Sequence, residues 1–331
     1  MSQVRSNTQA FIEAEQYSQF ILDNLHAYEL PEGFYRDVSD FGKGTTLHIK
    51  TVGTVTIQEA AEDVPLVYNP IDTNEIFLTI TDYVGDAWRV TDDLREDGSQ
   101  VDTLMSMRAM ESTRALANFH EGRYLAVAAS ESGAGQTLAN LNLVNGRPHR
   151  WVAGGPAATT RIMTLEDFIA MKFAFDKANV PPEGRIAIVD PVVEATLNSL
   201  QNLVNVSNNP MFEGIVNEGF VKTHKFIKNI FGWDIWTSNF LPQKTATEAL
   251  DASGYGLAND VAEVGDYANI FMCVADDNCK PVMHAWRRRP ATEGWRIQEK
   301  RSDAFQVTSR YGFGMQRTDT VGVIFTHPSN Y

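Results

Sequence analysis

Two β-rich runs separated by a long unpatterned stretch set the terms for this chain. Gly44 to Ile57 (GTTLHIKTVGTVTI) and Asn74 to Leu94 (NEIFLTITDYVGDAWRVTDDL) are both rich in β-branched and aromatic residues. In the second, Phe77, Thr79, Thr81 and Tyr83 alternate with Ile76, Leu78, Ile80 and Asp82, the period of an extended strand. The two runs are expected to pair as one long ribbon. The stretch from Gln58 to Glu75 carries Pro65 and Pro70 and no periodicity of its own. A lone hairpin is marginally stable in water, and patternless connections longer than about 12–15 residues are usually functional or disordered. The ribbon therefore needs a surface from elsewhere.

The rest of the composition narrows where that surface comes from. A formal net charge of −14 over 331 residues argues against a chain built wholly to grip nucleic acid or an anionic membrane, although a local basic patch is compatible with it. No apolar run approaches the roughly 20 residues of a membrane span. The start, MSQVRSNTQAFIEAEQ, has neither a secretory apolar core nor the acid-poor composition of a transit peptide. Cys273 and Cys279 lie in CVADDNC, a spacing of neither zinc-binding nor redox type, so free thiols in a reducing compartment are expected.

Along the chain, TQAFIEAEQYSQFILDNL reads as a short amphipathic helix in an N-terminal extension, ended by Pro31, Gly33, Gly42 and Gly44. After the ribbon, residues 99–131 are rich in Ala, Met, Leu, Arg and Glu and lack proline, which predicts a helix of some 30 residues, about 45 Å long. Its Leu104, Met105, Met107, Met110, Leu116, Phe119, Leu125 and Val127 form no single stripe, as expected for core or subunit packing. Residues 134–160 read as loop. Thr164, followed by Glu166 and Asp167, predicts a capped helix start. GRIAIVDP reads as a turn into a buried strand, VVEATLNSLQNLV as a second helix, and FVKTHKFIKNIFGWDIWTSNFLP as strand broken at Gly232. Residues 160–285 are thus expected to form an independently packed α/β layer domain. In the last stretch Phe305, Val307, Ser309, Tyr311 and Phe313 alternate, followed by Val321, Val323 and Phe325.

Signatures of chemistry are sparse. SGAGQT at 132–137 has the glycines of a phosphate loop without its lysine, and ASGYG around Ser253 only echoes a nucleophile elbow. The seven histidines are scattered, and TDDLREDG matches no calcium loop; its acids read as a helix start. No catalytic residue, cofactor site or metal site is assigned. Charge is more informative. Residues 51–88 contain no Lys or Arg but seven acids: Glu59, Glu62, Asp63, Asp72, Glu75, Asp82 and Asp86. Residues 284–317 carry Arg287, Arg288, Arg289, Arg296, Lys300, Arg301, Arg310 and Arg317 against Glu293, Glu299 and Asp303. Opposite patches on separate elements suggest a contact between copies, the ribbon of one over the basic sheet of the next. Arg287–Arg289 would equally suit nucleic-acid phosphates.

The order of these pieces resembles the major capsid proteins of tailed bacteriophages, the Hong-Kong-97-type fold, over essentially the whole chain. The fold class is then α+β: residues 1–43 resemble the N-terminal arm, 44–98 the extended E-loop, and 99–159 the P-domain spine helix with its following loop. Residues 160–285, with GRIAIVDPVVEATL and FGWDIWTSNFLP, resemble the A-domain. Residues 286–331, with SDAFQVTSRYGFGMQRTDTVGVI, resemble the closing P-domain strands, where an aromatic-Gly-x-Gly turn precedes a paired strand. Residues 51–88 contain no lysine, so the covalent E-loop crosslink of some relatives is not expected.

The resemblance implies a structural, non-enzymatic subunit that self-assembles through hexamers and pentamers into an icosahedral virion shell around double-stranded DNA, after synthesis in the host cytoplasm. It also implies a separate scaffolding protein, a portal and in some relatives a decoration protein, with no membrane. Glu59, Glu62, Asp63, Asp72, Glu75, Arg287, Arg288, Arg289, Arg296, Lys300 and Arg301 are the candidate inter-subunit residues. An encapsulin-like compartment shell and a soluble α/β enzyme are the alternatives.

Overall fold

The computed structural model describes residues 30–40, 44–53, 55, 57–60, 62, 68, 70–71, 73–98, 101–131, 142–154, 160–199, 229–244 and 262–330. The expected N-terminal helix lies outside them.

Two sheets share a long helix. Strand β1 (Arg36–Asp37) belongs to a four-stranded sheet with β4 (Asp82–Thr91), β12 (Val282–Ile297) and β13 (Ser302–Met315), in the order β1-β12-β13-β4. A six-stranded sheet has the order β7-β14-β11-β8-β10-β9. Its strands are β7 (Arg150–Val152), β8 (Arg185–Val189), β9 (Asn229–Ile230), β10 (Trp233–Thr237), β11 (Tyr267–Cys273) and β14 (Val321–Thr326). Among the described residues, β2 (Thr46–Val52) pairs only with β3 (Thr73–Thr79), and β5 (Leu143–Val144) only with β6 (Arg147–Pro148). The α-helices among them are α1 (Asp92–Asp97), α2 (Val101–Glu131), α3 (Leu165–Lys177) and α4 (Pro191–Ser199).

The long helix is present as the composition predicts, and its burial explains the missing stripe. Residues 124–129 of α2 are all buried, between Ile186, Ile188, Ile270 and Val323 of one sheet and Tyr311 and Phe313 of the other. A helix enclosed on all sides is apolar all round. The first half is different: Leu104 and Met110 are exposed, and it is held at Asp86, which accepts from Arg108 (2.7 Å) and from the Ser112 hydroxyl (2.6 Å).

The other face of the six-stranded sheet is covered by α3 and α4. Because successive strand residues point to opposite faces, Ile186 and Ile188 meet α2, while Ala187 and Val189 join Phe168, Phe175, Val193 and Leu197. That double burial is why β8 reads as an unbroken apolar run. The start of α3 is fixed as its residues predict: Asp167 accepts from the Thr164 backbone and hydroxyl, both at 2.9 Å, and from Trp151 Nε1 at 3.2 Å.

Several expectations are corrected. Asn74–Leu94 is two strands, not one: β3 pairs with β2, whereas β4 leaves the ribbon and pairs with β13. β7 emerges within the stretch read as loop, and β14 joins the six-stranded sheet instead of closing the other one. Residues 160–285 therefore do not complete their own layer, since β7 and β14 lie beyond both limits. The Tyr311–Met315 segment is the end of a strand and not a turn. Sheet membership is set by pairing across long sequence separations, which local alternation cannot reveal.

Candidate assembly surface

The ribbon is rooted on its own chain. Leu78 is fully buried against Met283 and Ala285, with Val38, Leu47, Ile49 and Ile76 around them. The root lies directly on β13, and glycine makes that approach feasible. A Cβ on Gly312 would stand 2.5 Å from the Thr79 carbonyl oxygen and 2.9 Å from Ile80 Cα; one on Gly314 would meet Leu78 Cδ1 at 2.9 Å. The two glycines of the YGFG run thus clear a path for a crossing segment.

Away from the root, β2 and β3 pair with each other. His48 and Phe77 meet edge to face at 4.9 Å, and His48 Nδ1 lies 3.2 Å from Glu75 Oε2. Val52, Val55 and Ile71 are exposed, and Ile57 and Tyr68 are 96% and 98% exposed. Glu59, Glu62 and Glu75 are exposed; Asp63 and Asp72 lie outside the described residues.

The basic residues at the far end of β12 and β13 divide into two groups. Arg296 is committed within the chain: its guanidinium forks onto Asp92 at 2.6 and 2.8 Å and reaches Asp303 at 3.2 Å, and Asp303 also accepts from Arg95 at 2.8 Å. These bonds raise the Arg296 pKa and lower that of Asp92. Arg288 likewise pairs with Glu293, whose pKa is lowered by the Gln306 amide and then by Arg288. Arg287, Arg289, Lys300 and Arg301 are exposed. The charge pattern located the cluster but missed Asp92, which neutralises part of it from the start of α1.

One buried group had no signal in the sequence. His120 of α2 and the fully buried His284 of β12 stand Nε2 to Nε2 at 3.1 Å, so one ring donates to the other. Tyr35, Trp286, Tyr311 and Phe313 enclose them. Burial pushes His120 down to about 4. Burial first, then His120 and Arg289, push His284 down to about 3. Val38 N donates to the His284 carbonyl at 2.8 Å, so the pair sits under the strand that ties the N-terminal segment to the body. Among the described residues no group of three metal-capable side chains assembles, and no helix is long and apolar enough to cross a membrane.

A body of two packed sheets thus carries a ribbon whose described apolar residues stand exposed. A sequence profile of the family described as phage capsid protein matches residues 73–324. The chain belongs to the phage capsid protein family, and it is a structural subunit of a capsid shell. Its fold is that of solved phage capsids. It superposes on the mature capsid protein of bacteriophage PhiM1 with a TM-score of 0.72 at 16% identity, covering 98% of this chain and 96% of that one. For the capsid of cyanophage P-SCSP1u the TM-score is 0.67 at 16% identity, with coverages of 96% and 93%. For Mycobacterium phage Che8 it is 0.66 at 16% identity, with coverages of 95% and 97%. The α+β Hong-Kong-97-type fold implied by the order of elements is therefore the fold observed. No curated protein matches the chain by sequence.

Proposed function

We propose that this chain forms the icosahedral shell of a tailed phage, through hexamers and pentamers that enclose double-stranded DNA. The ribbon carries this reading. Its apolar residues stand in water in the single chain, and burying each of them against a neighbour contributes roughly 1.5–3 kcal/mol. Its exposed acids Glu59, Glu62 and Glu75 supply a charge complement for a basic sheet, so the ribbon of one copy lies across the sheet of the next. The working residues are packing and pairing groups, with no catalytic step, cofactor or metal. A separate scaffolding protein, a portal and a decoration protein are the partners that go with such a shell, which is made in the host cytoplasm.

Co-expression with scaffolding protein, followed by sedimentation and electron microscopy, tests this. Closed shells of uniform size are expected. A chain that stays monomeric at micromolar concentration with scaffold present refutes it.

A further inference from the structure

Residues 274–281 carry the chain from β11 of the six-stranded sheet to β12 of the four-stranded one. Cys273 is the last residue of β11, and Cys279 lies near the far end of the connection. These are the chain's two cysteines, and both are free thiols. Their spacing matches no redox motif, yet the fold brings them together. Cys273 is fully buried in the core beneath α3 and α4, and Cys279 packs half-buried against the same core. The two thiols share a hydrogen bond. Cysteines whose backbones stand far apart cannot be bridged, so this contact meets the first requirement of a disulfide.

The connection is held in the shape that makes the contact. Val274 N donates to the Gly184 carbonyl at 2.8 Å, and Gly184, at φ +64°, lets the chain pass close: a Cβ there would stand 2.7 Å from Ala275 Cα. Cys279 N donates to the Asp276 carbonyl at 2.8 Å, which turns the chain back towards β11. From the end of β13, Gln316 Nε2 donates to the Asp277 and Asn278 carbonyls at 3.3 and 3.4 Å. The two thiols differ in access. Residues 275–278 are exposed beside Cys279, so a reagent in solution reaches that thiol first. Burial pushes the Cys273 pKa up, which suits it to second attack, since only the thiolate is a nucleophile.

We infer that Cys273 and Cys279 form a redox-closed brace across the junction of the two sheets, joined as a disulfide by a small-molecule disulfide such as oxidised glutathione. The Cys279 thiolate attacks one glutathione sulfur, that S–S bond breaks, and the first glutathione leaves as a thiolate that takes up a proton. Cys273 then attacks the Cys279 sulfur and releases the second glutathione, its own proton going to the departing thiolate. Two protein thiols are oxidised and one glutathione disulfide is reduced to two thiols. The bond does not depend on the shell reading; its occasion does, since a particle that leaves a reducing cytoplasm meets such oxidants.

The unassembled full-length chain, treated with oxidised glutathione, tests it. The intact mass is expected to fall by two hydrogens, both thiols to vanish from titration, and the thermal midpoint to rise by about 3 °C, as expected for closing so short a loop in a chain of this length. A reductant reverses all three. Cys273→Ser is expected to keep one glutathione on Cys279, and Cys279→Ser to leave Cys273 unmodified until the chain unfolds. Should either variant fail to fold, the parent's mass and thiol count decide. Two thiols left unchanged, a glutathione that stays on the parent's Cys279, or a disulfide between chains overturns the pairing. A Cys273–Cys279 bond that leaves the midpoint in place overturns the brace. Either failure leaves the shell function standing, and a parent that never forms shells leaves the bond standing.

Discussion

Truncating Ile57 to alanine separates a ribbon made for a neighbour from one that packs on its own body. Ile57 is 96% exposed, so removing three carbons from it in the single chain should change folding stability by less than about 0.5 kcal/mol. When the ribbon docks, those carbons leave water, and at about 0.8 kcal/mol per carbon the variant loses roughly 2.4 kcal/mol per contact. That is about a 50-fold weaker association. Leu125→Ala is the converse, because Leu125 is fully buried between the two sheets. It should cost about 2–5 kcal/mol of folding stability as transfer and cavity effects add. Urea unfolding of the unassembled chain and the critical concentration for shell formation, followed by light scattering, read the two quantities separately. Ile57→Ala should leave the unfolding midpoint in place and raise the critical concentration. If it lowers the midpoint as Leu125→Ala does, the ribbon is part of its own chain's core and the reasoning fails. If it changes neither quantity, the ribbon tip contacts nothing.

Three further outcomes are expected. Gly312→Val drives a side chain into the Thr79 carbonyl and the Ile80 backbone, and should cost about 1–3 kcal/mol as overpacking, with hydrogen exchange in β3 rising before that in β11. Asp167→Ala strands the Thr164 backbone and hydroxyl and the Trp151 indole donor; an unfolding midpoint lowered by the equivalent of roughly 2 kcal/mol or more is expected, and an unchanged midpoint would refute the cap's role. His120 and His284 are held neutral in the folded chain, so they cost no stability above pH 6.5. As pH falls below 6.5 the unfolded chain takes up protons first, and stability drops until the folded values of about 4 and about 3 are passed. Urea titrations across that window should show a loss of roughly 3 kcal/mol from His120 and roughly 5 kcal/mol from His284, and His284→Phe should flatten the slope.

How much was legible depended on how local the cause is. The start of α3 was readable because Thr164 and Asp167 are three residues apart and satisfy each other. β8 was readable because double burial leaves an apolar run bounded by a turn. The division between β3 and β4 was not, for a specific reason. Ile76 and Leu78 pack towards Met283 and Ala285 in one layer, and Asp82 and Asp86 then point to α2 from the next, so alternation runs unbroken through a change of layer. Glycine carried a similar ambiguity. Gly312 and Gly314 suggested a turn, whereas they keep a strand flat enough to be crossed. The charge runs were visible at once, but the partner of Arg296 lies 204 residues away at Asp92, beyond any window of sequence spacing.

The crossing at Gly312 also bears on the symmetry of assembly. In the proposed shell the ribbon of one copy lies on the sheet of the next. Ribbon and sheet are different residues, so a copy that gives its ribbon to a neighbour offers an unlike surface in return, which makes the proposed contact heterologous. Heterologous contacts close into rings when the rotation between copies permits, and run on as open filaments when it does not. The root bears on that rotation, since Leu78 wedged against Met283 and Ala285 sets the angle at which the ribbon leaves the sheet. Loosening this small core should therefore act on closure more than on affinity: a Leu78→Ala chain is expected to keep associating while its particles lose their uniform diameter. A variant that assembles into particles of the parent's size and regularity would show that the angle is set elsewhere.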